Sequence, residues 1–221
     1  QIRYSKDNVP ILSRTMLEEV VEQLIIEHGY NLNSFSWRDL TPFFRQLQSQ
    51  HNITLKIQDL GGLYNKKILG AMDNDRNILY LEEAILNHGA IYHFTFAHEI
   101  GHWALHRHRK VQITATDQRQ YYADSEDNFV SKEKLVSALD WLEWQANSFA
   151  GALLMPRHHF LRQVKSVSHS VLGNDHALLQ GTADQASYKQ SIYMLKDYFK
   201  VSQIAAQIRL KQVMEMVSQL N

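Results

Sequence analysis

The 221-residue sequence contains no cysteine, which excludes disulfide bonds and zinc sites built from thiolates. No apolar run approaches the length of about 20 residues that a membrane-spanning helix needs, and no secretory signal pattern opens the chain. Its 23 basic and 23 acidic residues cancel, so a role in coating nucleic acid is not expected. At 44% hydrophobic residues the chain can bury one good core. We therefore expect a cytoplasmic protein without membrane contact and without direct nucleic-acid binding.

The most informative segment is His98-Glu99-Ile100-Gly101-His102. Residues four apart on an α-helix share one face, so His98 and His102 can reach a single metal ion. The apolar residues around them fall at helical spacing. A zinc ion on two such histidines, with a glutamate beside it, is the arrangement that metallopeptidases use. We predict that Glu99 is the catalytic base of a zinc-dependent peptidase.

Catalytic zinc usually takes three protein ligands, so the motif needs a partner from elsewhere in the chain. His106 lies roughly 12 Å of helix rise beyond His98 and cannot share its ion. His108 has metzincin spacing, but that pattern needs a glycine where this chain has Leu105. We therefore exclude a metzincin and interpret residues 106–110 as the solvated basic end of the helix.

A second helical stretch, residues 139–156, supplies the better third ligand. Glu143 lies there among tryptophans and alanines, where an unpaired charge is costly and a metal compensates it. Asn147, one turn later, suits a partner for the free N–H of a ligating histidine. Asp140, one turn earlier, is the reserve ligand, and an exposed surface role for Glu143 is the alternative.

These segments resemble the ImmA/IrrE family of zinc metallopeptidases. The resemblance rests on residues 98–102, 143–150 and 153–156, extends upstream to 68–72, 77–81 and 94–97, and includes the later stretch 199–210. It implies that His98, His102 and Glu143 bind zinc and that Glu99 is the catalytic base. It also implies a protein substrate, a helix-turn-helix transcription repressor of the Xre type that controls stress-response or mobile-element genes.

The predicted fold is α+β. It consists of a zincin-like metallopeptidase domain over residues 1–156, with a small twisted β-sheet packed on the metal-binding helix, and a helix-turn-helix-like helical segment over 157–221. Strands are expected near 53–57, 67–72 and 77–81, the last as the edge strand that pairs with substrate. The first helix has a capping box from Thr15 to Glu18. Gly101 is expected where another element packs closely on the metal-binding helix.

Several features stay open at this level. Mn²⁺ or Fe²⁺ suits the same donors as Zn²⁺. The polar interval 114–131 is either a loop flanking the cleft or an idle surface loop. Candidates for stabilising an oxyanion are His158, His159, Tyr121 and Tyr122. Alternative functions are a zinc-containing DNA-binding regulator or a protein-binding regulator without turnover, the first suggested by the helical spacing after residue 200.

Overall fold

The computed structural model describes residues 3–4, 9–61, 68–107 and 137–218. Within these ranges the chain is α+β and mostly helical, with one small mixed sheet. The longer helices are α1 (Arg14–Glu27), α2 (Leu40–His51), α3 (Gly89–His106), α4 (Ala138–Leu154), α5 (Arg157–Leu172), α7 (Gln185–Phe199) and α8 (Gln203–Ser218), and α6 (Ala177–Gln180) is a single turn. The described helices include none with both the length and the hydropathy to cross a bilayer.

The main sheet has three strands, β3 (Thr54–Gln58), β4 (Gly70–Asp73) and β5 (Ile78–Glu82), in the order β3-β5-β4. β5 runs parallel to β3 and antiparallel to β4. The prediction that residues 77–81 form the edge strand is therefore wrong, because β5 has a hydrogen-bonded neighbour on each side. Strand periodicity shows that a segment is extended but does not determine its neighbours. β1 (Arg3–Tyr4) and β2 (Pro10–Ile11) form a separate antiparallel pair.

The N-cap of helix α1 lies two residues before that of the predicted capping box. Ser13 is the N-cap, and its hydroxyl accepts a hydrogen bond from the Met16 amide. Both Ser13 and Thr15 can fill this role chemically, so the local sequence alone does not choose between them. The chain leaves the helix at Gly29, whose φ of +79° favours glycine.

The two helices that carry the predicted ligands, α3 and α4, pack directly against each other. A Cβ atom on Gly101 would lie 3.1 Å from Phe149 Cδ1 and 3.2 Å from the Ala146 carbonyl oxygen, both on α4. This confirms the expected close approach at Gly101. The helix backbones can come this near only because position 101 has no side chain.

The hydrophobic core is continuous across residue 156, the predicted boundary, and includes buried side chains from α1 to α8. A buried ion pair also joins the two parts: the Arg209 guanidinium on α8 binds both carboxylate oxygens of Glu18 on α1. Arg209 Nε donates to the Met155 carbonyl oxygen at 2.9 Å, just after α4. Arg209 is 1% exposed.

Candidate metal centre

His98 and His102 from α3 meet Glu143 from α4 at one point in the interior. The Nε2 atoms of the two histidines are 2.9 Å apart. Glu143 Oε2 lies 3.2 Å from His98 Nε2, and Glu143 Oε1 lies 3.3 Å from His102 Nε2. The three side chains that the sequence places in two separate segments are thus adjacent in the fold, and they form a group that could hold a metal ion.

The donor atoms of this group have the spacing of a coordination shell. Ligand atoms about 2.0–2.1 Å from a tetrahedral zinc ion are roughly 3.3 Å from one another, close to the separations observed. Glu143 Oε1 is buried and accepts no hydrogen bond of good geometry from any described residue, although His102 Nε2 is near. A buried carboxylate oxygen left this way is expected where a cation completes its contacts.

Without a metal, the cluster is strongly polarised. Burial alone would raise the pKa of Glu143, but the nearby His102 and His98 hold that pKa well below its usual range. Burial alone would lower the pKa of His98, but the hydrogen bond and charge of Glu143, with a smaller effect of Glu99, raise it to about 9. The site therefore attracts positive charge, whether a proton or a metal ion.

Glu99 lies beside this group in the space between α3 and β4. It is 3% exposed, and its Oε2 atom is buried with no hydrogen-bond partner in the described part of the chain. Burial raises the pKa of Glu99. A Cβ atom on Gly70 of β4 would lie 2.8 Å from Glu99 Oε1 and 2.7 Å from Thr95 Cγ2. The carboxylate therefore occupies room that a side chain at position 70 would fill.

The outer nitrogens of both histidines are held by hydrogen bonds. His98 Nδ1 lies 2.9 Å from Asn147 Oδ1, which confirms the contact predicted for Asn147. An amide oxygen can only accept, so His98 carries a proton on Nδ1. Its Nε2 atom faces the cluster.

His106 is not part of a solvated helix end, contrary to the prediction. It is 3% exposed, with Nδ1 3.1 Å from His102 Nδ1 and Nε2 3.2 Å from Gln145 Oε1. From the sequence, His106 was considered only as a metal ligand, and its contact with the candidate ligand His102 was missed. The available signal was its position four residues after His102, which places both on one helix face. Residues 108–110 lie outside the described ranges.

The remaining candidates are placed elsewhere or lie outside the described residues. Asp140 caps α4, where its carboxylate accepts from the Ser137 amide at 2.9 Å, so the reserve ligand has a structural role. His158 Nε2 is 3.7 Å from a Glu22 oxygen. Tyr121, Tyr122 and the interval 114–131 fall outside the described ranges.

His159 is also engaged away from the cluster. Its Nδ1 atom lies 3.0 Å from the Phe35 carbonyl oxygen, and its Nε2 atom lies 3.0 Å from the Tyr198 hydroxyl. The carbonyl oxygen can only accept, so Nδ1 donates and Nε2 accepts from the tyrosine. Both ring nitrogens thus hold α5 to neighbouring segments.

Among solved structures, the chain is similar in fold to a Mycobacterium tuberculosis transcriptional regulator, with a TM-score of 0.52 and 15% sequence identity. The alignment covers 93% of this chain and 56% of that one, so this chain spans little more than half of the regulator's length. At this identity the similarity concerns the fold alone. No family model matches the chain, and no curated protein matches it either.

Proposed function

We propose that this protein is a zinc-dependent endopeptidase of the zincin type. The observation that carries the proposal is the convergence of His98, His102 and Glu143, beside a buried Glu99 oxygen that has no hydrogen-bond partner among the described residues. Two imidazole nitrogens and one carboxylate make a donor set typical of catalytic zinc, which keeps a further position for water or substrate. Mn²⁺ and Fe²⁺ suit the same donors.

In this reading Glu99 is the general base. A bound zinc ion supplies Lewis acidity, which acidifies water and polarises a peptide carbonyl. The Glu99 carboxylate accepts a proton from the attacking water and then passes it to the leaving amine. Because burial raises the pKa of Glu99, the carboxyl group is a better proton acceptor than an exposed glutamate. A metal site with a purely structural role has no use for such a group.

The substrate strand is proposed to pair with β4 rather than with residues 77–81. In the described sheet β4 has one strand neighbour, β5, and a Cβ atom on its Gly70 would lie 2.8 Å from Glu99 Oε1. An extended peptide added to the open side of β4 would be held by main-chain hydrogen bonds next to the base. Such pairing sets the register of the scissile bond without demanding one particular sequence.

The proposed substrate is a helix-turn-helix repressor of the Xre type, a choice supported by the resemblance of the ligand segments to the ImmA/IrrE peptidases. The rival function is a DNA-binding regulator with a structural metal. Arg209 is the one basic residue of residues 201–210, the segment that suggested DNA binding, and its guanidinium is buried against Glu18. Burial removes it from any contact with phosphates or bases.

The test compares wild-type protein and Glu99→Gln, each loaded with zinc, on the repressor encoded nearest to the gene. Wild type is expected to cut the repressor at one position, and Glu99→Gln to retain zinc and lose cleavage. Cleavage by Glu99→Gln at the wild-type rate would remove Glu99 as the base. A mobility shift of duplex DNA at physiological salt, without cleavage by wild type, would favour the regulator.

The metal ligands are tested separately by zinc content after dialysis. Glu143→Ala should lose zinc, whereas the matched carboxylate change Asp140→Asn, one turn away on the same helix, should retain it. Full zinc occupancy in Glu143→Ala would contradict the proposed ligand set.

A further inference from the structure

A series of buried, hydrogen-bonded side chains connects the candidate metal centre to the N-terminal strand pair. His102 Nδ1 contacts His106 Nδ1 at 3.1 Å, and His106 Nε2 contacts Gln145 Oε1 at 3.2 Å. Gln145 Nε2 donates to the Pro10 carbonyl oxygen of β2 at 2.6 Å. His102, His106 and Gln145 are 3%, 3% and 1% exposed, so solvent does not supply alternative partners for these atoms.

The direction of each hydrogen bond in this series follows from its last acceptor, the Pro10 carbonyl oxygen. The Pro10 carbonyl oxygen can only accept, so the amide nitrogen of Gln145 must face it and the amide oxygen must face His106. That oxygen also only accepts, so His106 Nε2 donates. In the neutral form of His106, a proton on Nε2 leaves a lone pair at Nδ1. In that form His102 Nδ1 is the donor to His106 Nδ1.

We propose that His106 and Gln145 are positioning residues that set the tautomer of His102 for metal binding. With its proton held on Nδ1, neutral His102 presents the Nε2 lone pair to the cluster that contains Glu143. The reverse tautomer would place a proton on Nε2, where a metal needs a lone pair. The inference rests on the proposed metal site and extends it to residues that bind no metal and touch no substrate.

The two histidines of the cluster are therefore aligned by different means. Asn147, on α4 itself, orients His98 directly through its amide oxygen. The orientation of His102 depends instead on His106, on Gln145 and on the Pro10 carbonyl oxygen of β2. The N-terminal strand pair thus affects the proposed metal site indirectly, through these hydrogen bonds. Loss of any member should relax the tautomer of His102 while leaving that of His98 unchanged.

The first measurement needs no substitution. In zinc-free wild-type protein at pH 8, long-range proton–nitrogen NMR of the imidazole rings reports which nitrogen carries each proton. The expected result is a protonated Nδ1 for His102 and an unprotonated Nδ1 for His106. A proton on His102 Nε2 with Nδ1 bare would overturn the proposal.

The second measurement is zinc affinity by competition with a chromophoric chelator. Gln145→Met keeps the side-chain length but removes the acceptor, and it is expected to bind zinc about 10–100-fold more weakly. The control Leu153→Met changes a buried side chain of the same helix outside the chain of hydrogen bonds and should leave the affinity unchanged. A folded Gln145→Met protein with wild-type zinc affinity would also overturn the proposal.

These outcomes separate the inference from the proposed function. If wild-type protein binds no zinc, the peptidase proposal fails, yet the NMR result still reports whether His106 and Gln145 set the tautomer. If wild type binds zinc and cleaves its substrate while the tautomer of His102 is reversed in the zinc-free form, only the inference fails.

Discussion

Raising the pH should destabilise the metal-free protein through His98. The neighbouring Glu143 raises the pKa of His98 from its ordinary 6.5 to about 9 in the folded state. A group whose folded pKa is raised contributes stability that is complete below its unfolded pKa and is lost as the pH rises through the folded value. The contribution of His98 is therefore full below about pH 6.5 and lost towards pH 9.

The size of the effect follows from that difference. The 2.5-unit difference between 6.5 and about 9, at 1.36 kcal/mol per pKa unit, corresponds to about 3 kcal/mol of unfolding free energy. The His98 side chain is 13% exposed, so solvent screening reduces this figure little. On the acid side, Glu143 has a lowered pKa, so its contribution is lost as the pH falls below the ordinary range of a carboxyl group. The stabilising effect of the pair is greatest at mildly acidic pH.

The assay is urea unfolding followed by circular dichroism, with a chelator present, at pH values between 6 and 9. Glu143→Gln is the matched control because it keeps the side-chain shape and removes the charge that raises the pKa of His98. The unfolding free energy of wild type should fall with pH by about 3 kcal/mol more than that of the variant. Parallel curves for the two proteins would refute the reasoning. Saturating zinc should reverse the trend for wild type, because protons and metal compete for the same nitrogens.

Three further substitutions test contacts around the cluster. Gly70→Ala places a Cβ atom 2.8 Å from Glu99 Oε1. It should slow the proposed repressor cleavage about a hundredfold by moving the proposed base, with zinc content unchanged; a wild-type rate would contradict this. Gly101→Ala crowds the α4 backbone and should lower the unfolding free energy by about 1 kcal/mol, because overpacking outweighs the better helix propensity. A higher unfolding free energy in urea for the variant than for wild type would contradict this. Asn147→Leu removes the partner of His98 Nδ1 and should weaken zinc binding about tenfold in chelator competition, and full affinity would show that the contact is dispensable.

The histidine pair could be anticipated because its geometry is local, whereas Glu143 was chosen from its apolar surroundings and from the family resemblance. His98 and His102 share a helix face by their spacing, and Glu143 and Asn147 repeat the same interval on the partner helix. The burial of His106 was not predictable in this way, since it depends on Gln145, 39 residues further along. Local spacing places a side chain on a face of its own helix, but the packing of a distant segment decides whether that face meets water.

The order of the strands in the sheet could not be predicted for a related reason. β4 and β5 form an antiparallel pair across a short connection, which is the usual arrangement for strands joined by a tight turn. The parallel pairing of β3 with β5 joins strands that are further apart in the sequence. No residue pattern in either strand predicts this pairing. As a result the strand beside Glu99 is β4, which the sequence alone could not distinguish from β5.

The buried bond between Arg209 and Glu18 has a consequence for dissecting this protein experimentally. An expressed fragment that stops at residue 156 would remove the counter-charge of the Glu18 carboxylate and would expose the hydrophobic faces that α5 to α8 cover. Breaking a buried pair by removing one partner typically costs about 3–5 kcal/mol, a large part of the roughly 5–15 kcal/mol that stabilises a typical domain. We therefore expect the part of the chain up to residue 156 and helices α5 to α8 to fold as a single cooperative unit, and both should be kept in any expressed protein.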